Sequence, residues 1–166
     1  MRYLLLLILL TSCGPRPTPA TGVPPDFAVV YEWNTGSLPP AYHRTETIRV
    51  APDGAATLGV RRRYDDGVSQ SWSFPLDDAG RQRLYAALQE AGLGTDWREE
   101  SNPPIGGASW TATVTADGRT TSVPNFVVRS QQGPKERVGE TLRAVVPDSV
   151  AAARDAWLET TEGEEP

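Results

Sequence analysis

A chain of 166 residues with net charge −5, 39% apolar and 22% charged residues has room for one domain with its own core. The acidic balance excludes a general nucleic-acid binder, which needs a basic excess on one face, so no nucleic-acid partner is expected. One cysteine excludes an internal disulfide framework and one histidine excludes a His-rich metal site; no metal and no cofactor are expected.

Met1-Arg2 supplies one positive charge, Tyr3 to Leu10 is an unbroken apolar run, and small Thr11-Ser12 lead into Cys13. Eight apolar residues are too few to span a bilayer, which takes about 20. A basic start, a short apolar run and small residues before a cut make a secretory signal. Leu10-Thr11-Ser12-Cys13 resembles the lipobox of bacterial lipoproteins. That resemblance implies a signal peptide over 1–12, removed after Cys13 receives a thioether-linked diacylglycerol, with further acyl chains such as palmitate on the new N-terminus. It therefore implies a partner, the membrane, held through the lipid anchor alone. Gly14 and not Asp follows the cysteine, which in a two-membrane cell implies the outer membrane facing the periplasm. In a one-membrane cell the same anchor implies the outer face of the cell membrane.

Residues 13–25 continue as CGPRPTPATGVPP, too rich in proline for a helix or an inner strand, and are expected to form a semi-extended tether. A single domain is expected over 26–159, and the acidic 160–166 is expected to be a disordered tail. Inside the domain, alternation of apolar and polar residues predicts six strands near 27–34, 44–51, 55–64, 69–75, 108–116 and 119–126. Asp53-Gly54, Asp65-Asp66-Gly67 and Asp117-Gly118 punctuate them as hairpin turns. Asp77 or Asp78 is placed to cap a helix with Leu84, Leu88 and Ala91 on one stripe, ended by Gly92 in the left-handed region. A second helix from about Lys135 carries Val138, Leu142 and Val145, is broken at Pro147, and resumes with Val150, Trp157 and Leu158. Four strands, a helix, two strands and a broken helix define an α+β fold, an antiparallel sheet with helices on one face. The Thr47–Val50 strand before Asp53-Gly54, the Arg83–Leu93 helix and Val114–Gly118 make the domain similar to small α+β domains carried by bacterial lipoproteins. That resemblance implies the architecture and brings no activity with it.

Chemistry-bearing patterns are sparse. No serine lies in a Gly-x-Ser-x-Gly elbow, and the only lysine, Lys135, falls at a helix start expected to be solvated. Asp65-Asp66-Gly67 and Asp77-Asp78 lack the spacing of a calcium loop and are explained as turn and cap. Arg61-Arg62-Arg63 is expected to be a solvated edge strand, with Arg62 facing as Val60 does; its alternative is an anion or sugar-acid site. His43 lies in the Pro-rich loop 34–43, as an ordinary surface histidine or as a binding residue. The five tryptophans are expected to pack between sheet and helices.

These readings favour a lipid-anchored envelope domain that binds an envelope protein or polysaccharide without catalysis. The alternatives are an envelope hydrolase using scattered carboxylates, and a passive structural or assembly lipoprotein. If each element reverses direction, loops 34–43 and 93–107 fall at the end away from the tether, the first helix climbing between the two ends. Pro39-Pro40 and Pro103-Pro104 stiffen these loops. Leu38, Tyr42, His43, Asn102 and Ile105 are the candidate binding rim.

Overall fold

Alternation along the strands decides which face of the sheet is covered. The computed structural model describes residues 22–63 and 67–162, with nothing drawn from the side chains of Thr161 and Glu162. The signal peptide, Cys13, most of the tether and Tyr64–Asp66 lie outside the described residues. The strands are β1 (Ala28–Asn34), β2 (Arg44–Val50), β3 (Ala55–Arg62), β4 (Ser69–Pro75), β5 (Ser109–Ala116) and β6 (Arg119–Val123). Helices α1 (Asp78–Ala91), α2 (Gln132–Arg143) and α3 (Asp148–Glu162) complete the chain. The strands form one antiparallel sheet in the order β4-β3-β2-β1-β5-β6, so the architecture is α+β as expected.

On the covered face Val29, Tyr31, Ile48, Leu58 and Val114 are buried, and Leu84, Leu88, Val138, Leu142 and Leu158 of the helices close over them. Leu88 and Leu142 have no exposed surface, and truncating either to alanine is worth about 3 kcal/mol. Register puts the opposite parity on the other face, where Glu32 lies across from Thr47, Thr47 from Gly59 and Gly59 from Ser71.

Local chemistry sets the element ends. Asp77 Oδ1 accepts the Gly80 N–H at 2.6 Å, and Gly92 at φ 108° lets the Leu93 N–H reach Leu88 O at 2.9 Å. Asp117 and Gly118, at φ 53° and 67°, make the tight β5–β6 turn. The Asp26 carboxylate accepts both N–H groups of that turn, at 2.8 and 2.7 Å.

Several expectations are corrected. β6 stops at Val123 because the chain beyond it leaves the sheet to meet loop 96–100, and β3 stops at Arg62, before Arg63 at φ 64°. Val23 packs on the core and Pro24 is buried, so the domain begins within the predicted tether. α3 runs to Glu162, into the predicted tail. β3 is an inner strand between β2 and β4, so the arginine run is not an edge. The first helix does not climb from end to end. The Leu76 N–H is held on Gly54 O at 2.9 Å, and α1 then crosses beneath β1, with Tyr85 edge-on to Phe27 at 5.2 Å, to finish beside β5 and β6.

Candidate functional site

The long loops nevertheless meet at one end. β1 enters from residues 22–27 at the near end, beside the β2–β3 and β5–β6 turns, and delivers loop 35–43 at the far end. Loop 92–108 arrives there too. A Cβ on Gly36, at φ 79°, would sit 2.1 Å from Gly107 O, so only glycine permits the two loops to touch. Between them lies a cleft of about 360 Å³ whose lining includes Asn34, Ser37, His43, Ser109 and Asn125. Its polar groups are hydrogen-bonding ones. Asn34 Oδ1 accepts the Gly36 N–H at 2.8 Å and the Ser109 hydroxyl at 3.4 Å.

The predicted rim residues are distributed around this cleft with different roles. Leu38 (42% exposed), Tyr42 (71%) and Ile105 (103%) project into solvent, and Val68 of the β3–β4 connection (57%) joins them. Among the described residues these are the large apolar side chains left exposed, and all belong to far-end loops. Asn102 is exposed, its N–H 3.4 Å from Glu100 Oε1. His43 is half-buried and structural: its Nδ1 donates to Arg63 O at 3.1 Å, while the Arg63 N–H donates to His43 O at 2.8 Å. The imidazole thus ties loop 35–43 to the end of β3.

The arginine run splits by parity. Arg61 points to the uncovered face, and Arg62 to the covered face opposite Arg44. Arg44 stacks over Trp33 at 5.1 Å, and Glu46 lies between Arg44 and Arg154 at 3.3 and 3.5 Å. All five tryptophans are half-buried against the core, as packing required.

Lys135 departs most from its expected place. It is 8% exposed, not solvated, and its ammonium gives its three N–H groups to the carbonyls of Trp110 (3.0 Å), Pro124 (2.9 Å) and Asn125 while lying 4.4 Å from the Trp110 ring centre. Burial pushes its pKa down to about 8. Lys135 therefore fixes the 124–125 segment that walls the cleft. The sequence held one signal for it: every other basic side chain is arginine. A compact cation with three rotatable donors satisfies three converging carbonyls, which a planar guanidinium does not.

Asp26 is the carboxyl lowered below its usual range, chiefly by the Gly118 N–H with that of Asp117, and it serves the near-end turn. Among the described residues no three His, Cys, Asp or Glu side chains group as metal ligands, and no helix is long and apolar enough to cross a membrane. Comparison with protein-family models and with curated proteins finds no match for the chain.

Proposed function

We propose that this protein is a lipid-anchored, non-enzymatic binding module of the cell envelope that takes a protein partner on its far-end loops. One observation carries the reading. Among the described residues, the large apolar side chains exposed to water are gathered at the end opposite the entry of the N-terminal segment, around a polar cleft. Isolated apolar prongs with hydrogen-bonding groups between them suit the surface of a folded protein, which supplies both apolar hollows and polar backbone. Prolines 39, 40, 103 and 104 limit the loop entropy lost on docking. The lipobox resemblance supports the anchor, and the shortened tether between Cys13 and Val23 would hold the loop end away from the membrane.

Photo-crosslinkers at Tyr42 and Ile105 are expected to capture the partner from intact envelopes, and crosslinkers at Asp53 and Asp117 to capture nothing. Capture only from the Asp53 and Asp117 side would overturn the reading. Because Tyr42 and Ile105 are exposed, Tyr42→Ala and Ile105→Ala should stay within about 0.5 kcal/mol of wild-type stability while weakening capture.

A further inference from the structure

The two edges of the sheet are built differently. β6 has five residues and begins on a charge, Arg119. β4 has seven, SQSWSFP, without a charged side chain, and it pairs with β3 in unbroken register. Charges, bulges and inner prolines are what keep sheet edges from joining other chains, and β4 has only a proline at its last position. The hydrogen bonds at either end of the β3–β4 ladder set the direction of its backbone groups. The Arg62 N–H donates to Val68 O and the Leu76 N–H to Gly54 O, both at 2.9 Å. Gln70, Trp72 and Phe74 therefore turn their N–H and C=O groups toward β3, and Ser69, Ser71 and Ser73 turn theirs outward. All three serines are exposed. Among the described residues one side chain reaches these outward groups: Gln70, whose Nε2 lies 3.4 Å from Ser71 O. Pro75 also faces outward, where its missing N–H costs the β3 ladder nothing.

We propose that β4 pairs with β4 of a second copy of this chain, antiparallel about a two-fold axis at Ser71, so that two sheets join into one. The pairing goes beyond the loop-end reading and does not rest on it. Self-complementarity selects the identical copy as occupant. On the axis Ser71 meets Ser71, and Ser69 of each copy meets Ser73 of the other, each pair exchanging two N–H···O bonds. A register two residues shorter leaves Ser73 unpaired, and one two residues longer sets Ser69 against Pro75, which has no N–H to give. Side chains along the seam on the uncovered face are all serine, so nothing bulky or charged opposes itself across the axis. A seven-residue seam is about 24 Å long and buries less than the roughly 1,200–2,000 Å² of a standard interface. The dimer is accordingly weak, with a dissociation constant in the high micromolar range.

The test uses the full chain, isolated in detergent, with sedimentation from low micromolar to millimolar concentration and oxidative crosslinking of cysteine variants. The wild type, with Cys13 alone, sets the crosslinking background. Ser71→Cys is expected to give a disulfide-linked dimer, because Cα atoms of a hydrogen-bonded pair are about 5.5 Å apart, within a disulfide's reach. Ser69→Cys and Ser73→Cys are each expected to stay at background alone, where like positions are about 13 Å apart, and to crosslink when mixed. Ser71→Pro removes a donor that β3 does not use, so thermal unfolding of dilute protein should hold while dimerisation weakens at least tenfold. Ser71→Lys sets like charges on the axis and should weaken it in the same way. The proposal fails if the chain stays monomeric at millimolar concentration, or if Ser71→Cys does not rise above background. It fails if Ser69→Cys alone crosslinks as well as the mixture, or if Ser71→Pro and Ser71→Lys dimerise as the wild type does. It also fails if a strand of a different envelope protein covers Ser69–Ser73 while this chain remains a monomer.

Discussion

At the scale of single residues, Lys135 decides how the loop end holds together. Its ammonium gives N–H groups to three carbonyls, but the loss of solvent around the charge outweighs those bonds and favours release of the proton in the folded state. Since it is the chain's one lysine, selective labelling gives one side-chain signal, and its titration midpoint should be near 8 and not 10.5. The folded state releases this proton before the unfolded state does, so stability should be flat below pH 8 and rise above it. The gain is at most about 3 kcal/mol and is complete only near the unfolded value. Tyr31 acts in the opposite sense: burial raises its phenol above 10.0, so beyond pH 10 it begins to cost stability. A fluorimetric unfolding series from pH 7 to 10 checks the sign; a fall across that window would contradict it. Lys135→Met keeps the stem over Trp110 but strands the three carbonyls, for an expected loss of about 3 kcal/mol or more in denaturant titration. None of this burial was legible in the local pattern. Gly133-Pro134-Lys135-Glu136-Arg137 reads as an ordinary polar helix start, and the carbonyls that draw Lys135 inward come from β5 and the end of β6.

At the scale of elements, the strands and α1 were legible because their signals are local: alternation, Asp-Gly turns, an aspartate cap and a left-handed glycine all act within a few residues. The course of α1 across the near end was not, because it depends on Leu76 binding back to Gly54 and Tyr85 meeting Phe27, contacts between distant segments. Helix α2 illustrates the same limit. Gly139 is unfavourable in a helix by about 1 kcal/mol relative to alanine, yet a Cβ there would lie 2.8 Å from the Trp110 ring. Gly139→Ala should therefore destabilise the protein by about 1–3 kcal/mol despite its better propensity, and unchanged thermal unfolding would show that the ring yields freely. In α3, Trp157 meets Trp72 edge-on at 6.1 Å and Leu158 is buried, so the helix docks on the sheet. Trp157 keeps some exposure, which lowers the expected cost of Trp157→Ala to about 2 kcal/mol, below the range for a fully buried ring. Melting curves of this variant beside the wild type measure it.

For the molecule as a whole, the strand and helix order contained the architecture, and the parity of strand directions contained the shared end of the loops. Leu38, Tyr42, Asn102 and Ile105 were legible as exposed loop positions, whereas the half-buried place of His43 and the cleft between the loops were not. Contact between Gly36 and Gly107 is a meeting of two backbones, and no side-chain pattern announces it. The proposed anchor predicts that Cys13→Ser abolishes fatty-acid incorporation and moves the protein from membrane to soluble fractions or leaves an uncut precursor. Label retained on that variant would end the lipoprotein reading. One further consequence concerns mechanical load. The N-terminal segment leads through Asp26, which clasps the β5–β6 turn, straight into β1, and β1 lies between β2 and β5 with a full ladder on either side. Tension on that segment is thus passed along two ladders at once, in shear, so that many hydrogen bonds resist together instead of parting one by one. A strand at the margin of the sheet would unzip under the same pull, and the loop end would lose its shape with it.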